Sequence, residues 1–115
     1  MNHTWTRITA AANIPPREGR AVTVGDNEIA IFNLDGKYLT IDNACPHKGG
    51  PLCDGIVSGT SVVCPLHGRR FDLDTGVAVR ASEPMCVATY ATRVEDGVVL
   101  VDLASARRAL DQRIA

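Results

Sequence analysis

The chain has 115 residues, with 12 Lys or Arg against 13 Asp or Glu for a net charge of −1, a length that suits one domain, residues 1–115, with a modest core. Near-balanced charge, with basic residues scattered except at Arg69-Arg70 and Arg107-Arg108, argues against nucleic acid as a partner. No apolar run approaches the roughly 20 residues of a membrane span, and the opening M-N-H-T-W-T-R is unlike a signal peptide, so a cytoplasmic, soluble protein is expected.

Residues 4–9 alternate as a first strand with Trp5 and Ile8 facing inward, and I-P-P-R-E-G at 14–19 is a proline-stiffened connection. A short strand over 21–24 turns at Gly25, Asp26 and Asn27. Strands over 28–34 and 37–41 form a hairpin on Asp35-Gly36, a pair that favours a type I′ turn. Short strands at 56–58 and 60–63 flank Ser58-Gly59, and 71–73 and 77–80 flank Asp74-Thr75-Gly76. They belong to a small β subdomain, about residues 43–72, inserted in a larger β unit. Strands over 87–94 and 98–102 surround Glu95-Asp96-Gly97. Leu103, Arg107, Leu110 and Ile114 then recur at helical spacing, predicting a short C-terminal helix over about 103–113 with Asp102 as its N-cap. Many short strands with regular turns predict an all-β sandwich or barrel.

The stretch from Cys45 to His67 carries the chemistry. It reads C-P-H-K-G-G-P-L-C-D-G and, after a spacer, V-V-C-P-L-H-G-R-R-F-D. Cys45 with His47 and Cys64 with His67 form two ligand pairs, each followed by glycine and interrupted by proline. Thiolate and imidazole suit zinc or an iron-sulfur centre, not the oxygen-seeking calcium or magnesium. Zinc fingers commonly pair like ligands locally. Here each loop offers one sulfur and one nitrogen, so two loops can place two sulfurs on one metal and two nitrogens on a second, the ligation of a Rieske [2Fe-2S] centre. Pro46 and Pro65 stiffen the loops without offering an N–H, and Gly49, Gly50 and Gly68 allow the backbone close to inorganic sulfide. A structural zinc site in an interaction module is the alternative.

C-P-H…C-P-L-H-G resembles the Rieske iron-sulfur family. The resemblance implies a β-sandwich base carrying a cluster-binding subdomain, with Cys45 and Cys64 on the inner iron and His47 and His67 on the outer one. The outer iron would take up the electron beside the surface. The function implied is one-electron relay, with no acid, base or nucleophile in this chain. Respiratory members carry a disulfide between the two loops; its second partner would fall at Leu66, so that bridge is expected to be absent. They also place serine and tyrosine hydroxyls at positions that here are Arg69 and Phe71. Without those donors to the cluster sulfurs, the potential should lie toward the lower part of the Rieske span of about −150 to +300 mV.

Within the family two soluble relatives fit. I-P-P-R-E-G-R-A-V, I-A-I-F-N-L-D-G, D-N-A-C-P-H-K-G-G-P-L-C-D-G-I-V, C-P-L-H-G-R-R-F-D-L-D-T-G and V-A-T-Y-A-T-R-V-E-D-G-V-V-L look more like the small subunit of NAD(P)H-dependent assimilatory nitrite reductase. That resemblance implies a role in nitrate assimilation, reducing nitrite to ammonia, beside a large subunit carrying flavin, a [4Fe-4S] cluster and siroheme. The other relative is the ferredoxin component of an aromatic-ring dioxygenase. Among the remaining residues, Cys53 is read as a small buried residue instead of a redox-sensing thiol, Cys86 as core, and His3 as a solvated side chain. Arg69 and Arg70 are either a steering patch for an acidic partner or an ordinary solvated turn.

Overall fold

A computed structural model describes residues 3–46, 50–66, 68–79 and 85–109. Eleven short strands form three antiparallel sheets among these residues. The first pairs β1 (Thr6–Ala10), β11 (Val98–Val101) and β10 (Thr92–Glu95), in that order. The second runs β2 (Gly19–Val24), β3 (Asn27–Leu34), β4 (Lys37–Asp42) and β9 (Thr89–Tyr90). The third, contributed by the chain between β4 and β9, is β5 (Ile56–Ser58), β6 (Ser61–Val63), β7 (Arg70–Asp72) and β8 (Ala78–Val79). The expected all-β architecture is present.

β3 explains how the sheets come together. Side chains on a strand alternate between faces, and both faces of β3 are covered. Ile29 and Ile31 point into a core with Ile14, Ala88, Tyr90, Val99 and Val101. Ala30 and Phe32 enter a different core that holds Leu52, Val62, Phe71, Leu73 and both Cys45 and Cys64. This double burial accounts for the unbroken apolar run I-A-I-F, which a strand with one wet face would interrupt with polar residues. Asn33, the polar residue that follows, is buried with its amide donating to the Ile14 carbonyl at 2.9 Å and its oxygen accepting from the Gly36 N–H at 2.8 Å.

Local turn chemistry sets the register. Asp35 and Gly36 both have positive φ, as do Asp96 and Gly97, the requirement of the type I′ turn whose twist matches paired strands. The β3–β4 ladder accordingly pairs Leu34 with Lys37 and runs without interruption to Ile29 and Asp42.

Three expectations are corrected. The strand expected over 87–94 is two: β9 pairs with β4, β10 pairs with β11, and the chain changes sheets at Ala91. There the Ala91 N–H is taken by Ser105 Oγ at 2.8 Å and its carbonyl by the Asp102 N–H at 3.1 Å, so neither serves a continuing ladder with β4. The first strand begins at Thr6, leaving half-buried Trp5 outside it beneath the Arg93 guanidinium, 5.5 Å from the ring centroid.

The third correction concerns the C-terminal segment. Asp102 does cap a helical turn, accepting from the Ala104 N–H at 3.0 Å, but the turn is a 3-10 helix confined to Leu103–Ser105. Arg107 then exchanges both backbone hydrogen bonds with Thr89 at 2.9 Å, which an α-helix would forbid. The sheet edge left open beside β9 outcompetes helical propensity. The remainder of the expected helix, 110–113, lies outside the described residues, as do His47, His67 and Arg80. Among the described residues, no helix is long and apolar enough to cross a membrane.

Candidate metal centre

Two six-residue loops with the same closure carry the cysteines. In the first, the Cys45 N–H donates to the Gly50 carbonyl at 2.9 Å; in the second, the Cys64 N–H donates to the Arg69 carbonyl at 2.6 Å. Each cysteine therefore starts its loop at the end of a ladder. The first ladder continues outward through the Ala44–Pro51 bridge and the Leu52 N–H to Asn43 carbonyl bond at 2.7 Å. The second is the β6–β7 pairing, whose last partners are Val63 and Arg70. Gly68, at φ +70°, supplies the left-handed step of the second loop, and its N–H returns to the Cys64 carbonyl at 3.0 Å.

Both thiols are drawn out of water. Cys45 is 3% exposed and Cys64 2%, within the same apolar cluster as Phe71 and Leu52. The loops approach so closely at Gly50 that a side chain there would collide: a Cβ would stand 3.4 Å from Cys64 Sγ and 2.8 Å from Leu66 Cγ and Cδ1. Two buried soft donors, with the bare backbone of Gly50 beside Cys64, fit an iron-sulfur group and not an oxygen-seeking hard cation. His47 and His67 lie outside the described residues. Among the described residues, Pro46, Pro65 and Leu66 are exposed beside the buried cysteines and give the loops an apolar patch.

The cysteines outside the loops behave differently from one another. Cys86 is buried and bridges Val77, as expected of a core residue. Cys53 is half-buried; burial and the neighbouring Asp54 carboxylate push its thiol above the ordinary value. A protonated, partly covered thiol is a poor redox sensor. No disulfide joins the four cysteines, and Leu66, at the place of the respiratory bridge, packs over Gly50 instead.

Sequence reasoning passed over several supports of the site. Asn43 is buried, and its side-chain oxygen accepts from the Cys53 N–H at 2.8 Å, tying the foot of the first loop to the 3-10 turn Leu52–Asp54. Asp42, two residues earlier than Ala44, accepts from the Tyr90 hydroxyl at 2.7 Å, from Arg108 at 3.1 Å and from the Ala88 N–H at 3.3 Å. The D-N pair before A-C-P-H was the available signal, since buried Asp and Asn require partners. Arg69 contributes its carbonyl to the second loop, while Arg70 donates to Ser58 Oγ at 3.2 Å. His3 is no isolated side chain: its Nδ1–H reaches Asp102 Oδ2 at 2.7 Å and its ring tilts against Trp5.

Comparison with known proteins agrees with this geometry. Residues 4–102 match the Rieske-like [2Fe-2S] domain. The ferredoxin component of the naphthalene 1,2-dioxygenase system of Pseudomonas aeruginosa is 34% identical over 103 residues, covering 90% of this chain and 99% of that one. Among solved structures, a ferredoxin of Sphingomonas yanoikuyae B1 superposes with a TM-score of 0.79 at 34% identity, covering 86% of this chain and 98% of its own. A candidate NADH-dependent nitrite reductase small subunit from Mycobacterium tuberculosis superposes with a TM-score of 0.78 at 28% identity, covering 95% and 99%. With the β framework inside the matched region and a buried cysteine opening each of the two loops, the chain belongs to the Rieske-like [2Fe-2S] domain family and is a Rieske-type electron-transfer protein whose cofactor is a [2Fe-2S] cluster.

Proposed function

We propose that this protein is the ferredoxin component of an aromatic-ring dioxygenase system, carrying electrons singly to a terminal oxygenase. The observation that carries the reading is the near end-to-end similarity to a dioxygenase ferredoxin, 34% over 90% of this chain. It reverses the order suggested by His47-Lys48-Gly49-Gly50-Pro51-Leu52, which favours a nitrite reductase small subunit. Cys45 and Cys64 would hold one iron and His47 and His67 the other. When bound, the cluster supplies a centre that takes up and releases one electron.

The chain's own residues then have three tasks. The two loop closures at Cys45 and Cys64 fix the sulfurs. Phe71, Leu52 and Val62 keep water from the sulfur side of the site, and the half-buried Arg69 together with Phe71 provides no hydroxyl toward it. Exposed Pro46, Pro65 and Leu66 offer apolar surface that a partner can cover. Substrate chemistry belongs to the partner; the chain is an electron carrier in one domain, with its cluster-binding part at about 43–72, and a cytoplasmic setting keeps its unbridged cysteines reduced.

A second reading has its own support. The nitrite reductase small-subunit relative covers 95% of this chain at 28% identity, so a large subunit bearing siroheme is the alternative partner. Rapid mixing of the reduced protein with each acceptor distinguishes the two. Fast reoxidation by a terminal oxygenase, with product formed, is expected; reoxidation only by the siroheme subunit, with nitrite-dependent NAD(P)H consumption, would replace the first reading with the second.

A further inference from the structure

Gly50 occupies an unusual place between the two loops. Its carbonyl receives the Cys45 N–H at 2.9 Å, which fixes it to the first cysteine. Its Cα faces the second loop so closely that a methyl group there would stand 2.8 Å from both Cγ and Cδ1 of Leu66 and 3.4 Å from Cys64 Sγ. The residue is buried, yet its φ lies outside the left-handed region that Gly68 and the turn glycines adopt. Backbone conformation therefore does not require glycine at this position. Space does.

Leu66 is the complementary half. The residue is 53% exposed, far more than an ordinary leucine with a core role, but its Cγ and Cδ1 lie against Gly50. After these two Leu66 carbons, the next atom from that position is the sulfur of Cys64. No disulfide crosses between the loops, and this apolar contact reaches across the seam next to the buried sulfur.

We infer that Gly50 and Leu66 form a non-covalent latch that sets the separation of the two cysteine loops and shields the Cys64 sulfur from solvent. Both are positioning residues that act through Cys45 and Cys64. The inference rests on the reading that these loops hold the cluster. A larger residue at 50 must either lift the second loop or turn Leu66 outward, and both open the seam over Cys64. Cutting Leu66 back to alanine makes room for the added methyl and closes the loops again.

The test is a size swap on the holoprotein. Gly50→Ala, Leu66→Ala and the double variant are purified with cluster, and three quantities are followed: the visible and EPR spectra, the midpoint potential, and the rate of cluster bleaching by an iron chelator. Gly50→Ala is expected to bleach roughly tenfold faster, the order of effect of one surplus methyl in a packed contact, with altered EPR g-values. The double variant is expected to recover most of that loss, which neither single variant does. If Gly50→Ala gives no holoprotein at all, recovery of cluster in the double variant still supports the latch. A native chain with the Rieske spectrum and a Gly50→Ala variant that matches it in spectrum and bleaching, or a double variant no better than Gly50→Ala, overturns the latch alone. A native chain that binds no cluster overturns the ligand assignment and the latch with it.

Discussion

The side-chain oxygen of Asn43 accepts a 2.8 Å hydrogen bond from the Cys53 N–H, while the Asn43 carbonyl accepts from the Leu52 N–H at 2.7 Å. One buried residue thus closes the foot of the first cysteine loop from both its backbone and its side chain. Asn43→Ala leaves the Cys53 N–H without its partner, at a cost of about 1–3 kcal/mol, and should show both as a lowered denaturation midpoint and as faster cluster loss. Cys53→Ala retains the N–H and should leave cluster retention near native. Equal lability in the two variants would move the role from the backbone donor to the thiol.

Tyr90 and Asp42 join the second sheet to the approach to the same loop. The phenol is pushed up from its ordinary value of 10.0, first by burial and then by its hydrogen bond to the Asp42 carboxylate. A group held protonated by the fold stabilises it fully below the unfolded value, and that contribution is lost as pH rises beyond about 10 toward the folded value. Tyr90→Phe should cost about 1.5 kcal/mol at neutral pH, as for a hydrogen bond to a charged group, and should remove the part of the alkaline decline that this phenol causes. Urea titrations of both proteins between neutrality and strongly alkaline pH measure the two effects. An unchanged alkaline limb would contradict the assignment.

Asp102 acts at the opposite end of the pH scale. The His3 imidazole N–H holds its carboxyl below the ordinary 3.8, with the Ala104 N–H adding to the effect and burial opposing it. This contribution is present above the unfolded value and disappears as pH falls through the folded one. Asp102→Asn retains an oxygen for the Ala104 N–H but loses the charge, so its stability should fall less steeply than that of the native protein in the acid range. Parallel acid limbs in the two proteins would show that the carboxylate is not held by the fold.

What the sequence reveals follows from how local each cause is. The Asp35-Gly36 and Asp96-Gly97 hairpins are readable because the turn residues themselves demand positive φ. The strand pair around Ser58-Gly59 is legible for a similar reason, and β5 falls on the expected 56–58. The break at Ala91 is hidden because its cause, the Ser105 hydroxyl, lies fourteen residues away in the chain. Likewise Leu103 and Arg107 have helical spacing, and only the edge of β9 at Thr89 decides otherwise. At the site, Cys45 and Cys64 announce themselves through C-P-H and C-P-L-H-G. Asn43 does not, because its meaning depends on the Cys53 N–H across the loop, and although Gly50 and Leu66 stand out singly, their contact across the seam is visible only in the fold.

Arg69 and Phe71 bear on the potential. Phe71 is fully buried in the core that contains both loop cysteines, and Arg69 enters the loop through its carbonyl. Neither brings a hydroxyl to the cluster sulfurs, so a redox titration should place the midpoint in the lower part of the range of about −150 to +300 mV. A midpoint near the upper limit would require another donor set around the sulfurs.

The ligand set itself is tested most directly by EPR of the reduced native protein, combined with iron and acid-labile sulfide analysis, beside Cys64→Ser and His67→Cys variants. The account predicts two irons and two sulfides per chain, a spectrum of mixed sulfur and nitrogen ligation, and loss of that spectrum in both variants. A colourless protein with one zinc, or an all-cysteine type of spectrum that persists in His67→Cys, would contradict it.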